Sequence, residues 1–183
     1  MNPYIISTER LGLRRWNDSD IEPFSKMNQD AEVMKYFPKL LTDEESFAMM
    51  QRIKQHFKKN NFGLFAVENK LTEQFIGFTG FNIPAFESFF TPCVEIGWRY
   101  KKEVWGNGFA TEAANGCLKY GFEDLKFDKI VSFTSRLNIN SEKLMRRIGM
   151  TYVTEFEHPN IEKENILCLH VLYQIYVTNL LIS

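Results

Sequence analysis

The spacing of apolar and polar residues along the chain predicts an alternation of strands and helices. Apolar side chains at alternate positions, as between Arg10 and Trp16, are typical of a strand with one buried face. The clearest helical repeat runs from Thr111 to Leu125, with apolar or small residues at positions 110, 113, 114, 117, 118, 122 and 125. Neither internal repeats nor a low-complexity linker interrupt the pattern, so one domain over residues 1–183 is expected.

Capping and turn residues complete the list of predicted elements. The Asn17–Asp20 stretch suits the start of a helix that reaches about Asp30, and a second, short helix is expected to end at Tyr36. A capping box at Thr42–Glu45 opens a helix through Phe57. The elements that follow are strands 62–68 and 74–82 as a hairpin, strand 93–99, helix 111–125, strand 129–134, helix 140–148, strand 150–156 and segment 166–177. This order predicts an α/β fold whose mixed central sheet is antiparallel in its first half, parallel in its second half and flanked by helices.

Charge and composition narrow the classes of partner. A formal net charge of −1 gives no general attraction for nucleic acid or an anionic membrane, so an anion needs a local binding device. No 18-residue apolar stretch and no export signal are found, so neither membrane insertion nor secretion is expected. The three cysteines, Cys93, Cys117 and Cys168, lack CxxC spacing and are expected to be buried reduced thiols, which favours the cytoplasm. No metal is expected, because no ligand spacing is found.

The stretch Trp105–Thr111, WGNGFAT, is the strongest candidate for such a device. Gly106 and Gly108 directly precede the predicted helix, whose first N–H groups lack partners. Without side chains, these glycines let the main chain approach a phosphate closely, so the strand–turn–helix order favours anion binding over a bare turn. Neither common nucleotide motif fits, because Thr111 replaces the third Rossmann glycine and no Gly-Lys-Ser/Thr follows.

Several motifs over nearly the whole chain, in a consistent order, resemble the GNAT family of N-acetyltransferases, in particular its ribosomal-protein-alanine acetyltransferase-like (RimJ/RimL-type) branch. These motifs are Thr8–Arg14, Phe75–Phe81, Val94–Trp98, WGNGFATEA at 105–113, Asn138–Ser141, Arg147–Met150 and His170–Tyr173. The resemblance implies the GNAT acyl-CoA acyltransferase fold, acetyl-CoA as cofactor, and direct acetyl transfer to a primary amine in a ternary complex. The implied acceptor is a protein N-terminus, such as that of a ribosomal protein, a polyamine or another small amine.

The resemblance also implies which residues hold the cofactor. The family's pyrophosphate motif, Q/R-x-x-G-x-G/A, aligns on Trp105–Ala110, with Trp105 in place of Gln or Arg. The implied cofactor-binding residues are Ile96, Trp98, Gly106, Asn107, Gly108, Phe109, Ala110, Thr111, Asn138 and Ser141. Taken by itself, Asn138 is equally well interpreted as a turn or helix-cap residue.

Acetyl transfer to an amine requires a neutral amine and a protonated leaving thiolate. Many family members use a tyrosine in the last helix as the acid, but Met145 aligns there, and the resemblance implies Ser141 instead. Glu95 is the candidate base. Ser141 could instead serve the helix start, and Glu95 could be a solvated strand residue.

Because Met145 occupies the family's usual acid position, a second function is considered: an acyl-CoA-binding sensor or interaction module without transferase activity. Exposed strand edges are compatible with a homodimer. The Phe-rich loop 83–92 lies where the family builds its acceptor wall, and its aromatic residues either line an apolar cleft or pack against the protein.

Overall fold

The computed structural model describes residues 3–178. Strands and helices alternate over this range in the following order: β1 (Ile6–Ser7), β2 (Leu11–Arg14), α1 (Ile21–Gln29), α2 (Asp43–Asn60), β3 (Leu64–Asn69), β4 (Gln74–Asn82), β5 (Glu95–Tyr100), α3 (Phe109–Glu123), β6 (Lys129–Ser135), α4 (Ile139–Arg147), β7 (Thr151–Glu157) and β8 (Leu169–Tyr176). The predicted mixed α/β architecture is therefore confirmed, and β1 is an additional short strand.

The eight strands described form one sheet in the order β1-β2-β3-β4-β5-β6-β8-β7. The first five strands pair antiparallel with their neighbours, as predicted. The second half is not parallel throughout, because only β5 and β6 form a parallel pair. Strand β7 runs in the same direction as β6, but β8 turns back and lies between them, pairing antiparallel with both.

Strands β5 and β6 separate soon after they meet. Their ladder contains the single pair Glu95 and Val131, supported by a 2.9 Å hydrogen bond from the Val131 N–H to the Val94 carbonyl. Strand β5 continues along β4 as far as Tyr100 without further pairing to β6. This separation opens a cleft in the middle of the sheet.

Helices α1 and α3 cover opposite faces of the sheet. Phe24 of α1 packs edge-on against Phe78 of β4, with ring centroids 6.1 Å apart. Gly121 of α3 lies so close to Phe81 that an added Cβ would be 2.7 Å from its ring. Phe78 and Phe81 are three positions apart on one strand and therefore point to opposite faces.

One predicted helix start is confirmed in its capping chemistry, a second lies two residues from its predicted position, and one predicted short helix is absent. The capping box of α2 forms as predicted, with the Glu45 N–H donating to Thr42 Oγ1 at 3.2 Å and the Thr42 N–H donating to Glu45 Oε2 at 3.0 Å. Helix α3 begins at Phe109, two residues earlier than predicted. The expected short helix to Tyr36 is absent, because the Asp30 side chain accepts the Glu32 N–H at 2.8 Å and residues 31–36 form turns.

The structure of residues 3–178 also bears on the cysteines, on membrane-spanning helices and on metal sites. All three cysteines are free thiols, and Cys117 and Cys168 are buried, whereas Cys93 is partly exposed. Within this range no helix combines the length and apolar character needed to cross a bilayer. No group of three or more His, Cys, Asp or Glu residues in the same range is arranged to hold a metal ion.

Candidate active site

A cleft of about 950 Å³ occupies the gap between β5 and β6. Its walls are the glycine turn with the start of α3, the first turns of α4, and the segment 32–38 after α1. The floor is the face of β5 that carries Glu95, Gly97 and Arg99. Most of the residues predicted for the site therefore line one continuous cavity.

The glycine turn has the geometry of an anion cradle. Gly106 and Gly108 have φ values of +80° and +78°, a left-handed conformation that side chains rarely adopt. Gly108 is the N-cap of α3, and no side chain caps this helix start, which leaves the first-turn N–H groups without an intrahelical partner. An added Cβ at Gly106 would project into open space. The turn therefore fits a pyrophosphate, bound by main-chain N–H groups of residues 109–111.

Arg10 holds this turn in place and was not assigned from the sequence. Its Nη1 donates to the Asn107 carbonyl at 2.9 Å, and its Nε donates to Glu112 Oε2 at 2.6 Å. The guanidinium also lies over the Phe109 ring, 4.6 Å from its centroid. Arg10 and Asn107 are 97 positions apart, so only the Thr8–Arg14 motif in the sequence drew attention to this residue.

Two of the predicted cofactor-binding residues do not face the cleft. The Asn107 side chain folds back on its own turn, with Nδ2 donating to the Val104 carbonyl at 3.0 Å. Ile96 is fully buried, and its carbonyl accepts a 2.8 Å hydrogen bond from Ser132 Oγ. The Ile96 side chain therefore belongs to the core.

Trp98, Asn138 and Ser141 meet at the opposite wall. The Trp98 indole Nε1 donates to Ser141 Oγ at 3.1 Å. Asn138 is the N-cap of α4, since its Oδ1 accepts the Ser141 N–H at 3.2 Å, and all three residues line the cleft. The capping role of Asn138 is thus present, while Ser141 Oγ accepts from an indole rather than serving the helix backbone.

Glu95 lies at the point where β5 and β6 part. Its side chain is half-buried, and its carboxylate has one weak hydrogen bond, 3.4 Å from Asn82 Nδ2 to Oε2. Burial raises the pKa of Glu95 to about 7, against an ordinary value of 4.5. His170 lines the same cleft, and burial lowers its pKa to about 4, so it is neutral near pH 7. Glu95 is the cleft carboxylate that is poised to exchange a proton at neutral pH.

The residues of helix α4 differ in whether their side chains reach the cleft. Lys143 and Arg147 of α4 line it near the glycine turn, and Arg147 Nη1 lies 3.4 Å from Thr111 Oγ1. These cations suit a phosphate-bearing ligand. Met145, in contrast, is fully buried in the core, so the family's tyrosine position contributes no group to the cleft.

The aromatic residues of loop 83–92 pack against the end of the sheet. Phe86 contacts Phe133 with ring centroids 5.7 Å apart, and Phe90 contacts Phe156 at 5.0 Å. Phe133 in turn lines the cleft. The loop therefore supports one cleft wall from behind.

Comparison with known proteins agrees with this geometry. The family model described as "Acetyltransferase (GNAT) domain" matches residues 10–151. The uncharacterized protein YkkB of Bacillus subtilis is 31% identical over 148 residues, which is 80% of this chain and 85% of that protein. The uncharacterized N-acetyltransferase YnaD of the same organism is 30% identical over 146 residues, 79% of this chain and 81% of that protein.

A solved structure shows the same likeness in three dimensions. The GNAT-family acetyltransferase from Bacillus anthracis superposes with a TM-score of 0.79 at 27% identity, covering 94% of this chain and 98% of that one. The chain therefore belongs to the GNAT family of acetyl-CoA-dependent acetyltransferases.

Proposed function

We propose that this protein transfers an acetyl group from acetyl-CoA to a primary amine by direct attack in a ternary complex. One observation carries the proposal: a carboxylate with a pKa near 7 and a hydroxyl held by an indole line the same cleft as an uncapped, glycine-flanked helix start. Such a cleft combines a base, a proton donor and an anion cradle. We assign these three roles to Glu95, Ser141 and the turn at 106–111.

The cofactor is held mainly by the main chain. Gly106 and Gly108 leave space for the pyrophosphate, and the N–H groups of residues 109–111 donate to it. Trp98 lies two residues beyond Ile96, so its peptide groups face the same edge of β5, where β6 has separated. That edge is free to pair with the pantetheine arm. The Asn138 side chain uses one amide hydrogen and one oxygen lone pair within the protein, and its second hydrogen and lone pair are left to bind the arm.

The base and the acid act on different atoms, Glu95 on the acceptor nitrogen and Ser141 on the leaving sulfur. Acetyl-CoA, when bound, supplies the acetyl group as a thioester. Glu95 takes a proton from the acceptor ammonium, directly or through water, so that the amine nitrogen can form the new amide bond. As the carbon–sulfur bond breaks, the attacking nitrogen releases its second proton to water and the Ser141 hydroxyl donates its proton to the departing sulfur. The serine oxygen is reprotonated by the hydronium so formed, and Glu95 returns the first proton to solvent.

The hydrogen bond from Trp98 directs this donation. Because the indole N–H occupies a lone pair of Ser141 Oγ, the hydroxyl hydrogen has to point away from the indole. The cleft is the open direction, since both residues line it. Trp98 is thus a positioning residue for Ser141.

We further propose that the chain belongs to the RimJ/RimL-type branch, on the basis of its Glu-Ile-Gly-Trp motif and of Ser141 in place of a tyrosine acid. The acceptor is then a protein N-terminus or a small primary amine. The test is release of free coenzyme A thiol from acetyl-CoA over a panel of N-terminal peptides and small amines, with the N-acetyl product identified by mass spectrometry. Thiol release without any acetylated amine would reject the proposal.

A further inference from the structure

Arg99 is a charged residue in the floor of the cleft to which neither the motifs nor the mechanism assigns a role. Only 8% of the residue is exposed, yet it lines the cavity. It lies on the same face of β5 as Glu95, with Gly97 between them. The floor therefore has a carboxylate at one end, an uncovered backbone in the middle and a guanidinium at the other end.

The contacts of Arg99 are with neutral groups. Its Nη1 donates to Asn28 Oδ1 at 2.6 Å, and the guanidinium stacks on Phe37 and Phe78, 4.1 and 5.4 Å from the ring centroids. Its Nε is buried and has no hydrogen-bond partner. Within residues 3–178, no carboxylate forms an ion pair with Arg99.

Nearby charges do not compensate for this cation. The segment that covers it contributes Glu32 and Lys35 to the cleft, which are exposed and of opposite sign. An arginine stays charged at neutral pH even in this setting, and a buried charge without a counter-ion is unfavourable. The described residues around the cleft therefore leave the Arg99 guanidinium without a counter-ion.

We propose that Arg99 binds a carboxylate of the acceptor, so that the acceptor class is an amino carboxylate rather than a polyamine or a simple alkylamine. Nη1 is engaged by Asn28, and the edge formed by Nε and Nη2 has no hydrogen bond to a described protein group. That edge presents two parallel N–H donors, which match the two oxygens of a carboxylate. A second cationic group of a polyamine would meet a like charge there.

The floor also fixes where the two ends of the acceptor lie. Four residue steps along β5 separate Glu95 from Arg99, about 13 Å at the usual rise of a strand. An added Cβ at Gly97 would meet only the Glu95 carboxylate, at 3.7 Å, so the middle of the floor is open. The acceptor therefore carries its amine toward Glu95 and its carboxylate several bonds away, toward Arg99. This proposal rests on the proposed function, because it takes Glu95 as the amine end.

The test uses amines that differ only at their far end. For each chain length from three to seven carbons, an ω-amino carboxylate is compared with the alkylamine and with the terminal diamine. The wild-type protein is expected to prefer one or more amino carboxylates in kcat/KM by about tenfold or more, the range of a charged hydrogen bond. Arg99→Gln keeps a donor for Asn28 but removes the charge, and should abolish the preference. Arg99→Lys should retain part of it, and Arg52→Gln, a change at an exposed arginine of α2, should leave it intact.

Calorimetric binding of the same amines to the protein saturated with coenzyme A separates the two proposals. Charge-selective binding without turnover supports the carboxylate subsite and rejects the transferase mechanism. Turnover with equal or better use of alkylamines or diamines at every length overturns the subsite and leaves the transferase mechanism standing. If neither binding nor turnover distinguishes the amines, the role of Arg99 in acceptor recognition is rejected.

Discussion

The indole nitrogen of Trp98 lies 3.1 Å from the hydroxyl oxygen of Ser141 and so connects the separated strand β5 to the first turn of α4. The connection crosses the cleft wall at the place where the leaving sulfur is proposed to lie. Met145 is buried at the position where many family members carry a tyrosine acid, and Ser141 is the residue proposed to supply the hydroxyl instead. Both residues came from the motif comparison, but their contact did not.

The Trp98–Ser141 contact predicts coupled effects on turnover. Ser141→Ala is expected to lower kcat about 100-fold, within the range of proton-transfer catalysis, and Trp98→Phe about tenfold because the hydroxyl loses its orientation. The double variant should be no slower than Ser141→Ala alone, because the indole acts through the hydroxyl. Steady-state kinetics of the four proteins measure this. Fully additive losses would show that Trp98 acts independently of Ser141.

The glycine turn predicts a loss of cofactor affinity that backbone strain does not explain. Gly106→Ala places a Cβ in the open space of the cradle, whereas Gly149→Ala has the same kind of strain outside the cleft, with φ values of +80° and +85° respectively. Both variants should lose roughly 1–2 kcal/mol of stability. Calorimetry with acetyl-CoA should show weaker binding only for Gly106→Ala. Equal dissociation constants for the two variants would argue against a phosphate at this turn.

Asn138 combines a helix cap with a proposed cofactor contact, and two variants separate these roles. Asn138→Ala should lower stability by about 1 kcal/mol and weaken acetyl-CoA binding, because the cap and the amide are both lost. Asn138→Ser retains a capping oxygen, so stability should recover while affinity stays low. Thermal unfolding and calorimetry report the two effects. Wild-type affinity in both variants would remove Asn138 from the cofactor site.

Glu95 predicts a pH dependence of stability. Its folded pKa of about 7 exceeds the ordinary 4.5, so the folded protein binds the proton more tightly than the unfolded chain. The stability contributed by the protonated form is complete below about pH 4.5 and is lost as the pH rises to about 7. Glu95→Gln should lack this decline, so it should gain stability relative to the wild type between these values. If the free energies of unfolding of the two proteins change with pH in the same way across this range, the pKa of Glu95 is not raised.

Local patterns in the sequence were sufficient for features that depend on neighbouring residues. The capping box of α2 and the turn at Gly106 and Gly108 belong to this class, because each rests on cap or backbone chemistry within a few positions. The sheet order was harder. Strand order is set by pairing between distant segments, so the insertion of β8 between β6 and β7 was not predicted.

The parts of the site that were missed depend on contacts between distant positions. Arg10 donates a hydrogen bond to Asn107, 97 positions away, and Arg99 donates one to Asn28, 71 positions away. The directions of the Ile96 and Asn107 side chains, which turn away from the cleft, were not predictable for a related reason. Which face of β5 is buried, and which partners a turn side chain takes, are decided by packing around the whole cleft.

The central claim is that Glu95 is the base in acetyl transfer to an amine. The most direct measurement is the pH dependence of kcat/KM for the wild type and for Glu95→Gln, with acetyl-CoA and the best acceptor amine. If Glu95 is the base, the wild-type rate rises with pH up to about 7, as Glu95 loses its proton. Glu95→Gln should be about 100-fold slower, with no inflection near pH 7 and unchanged acetyl-CoA affinity. If Glu95→Gln keeps the wild-type turnover and the same inflection, Glu95 is not the base.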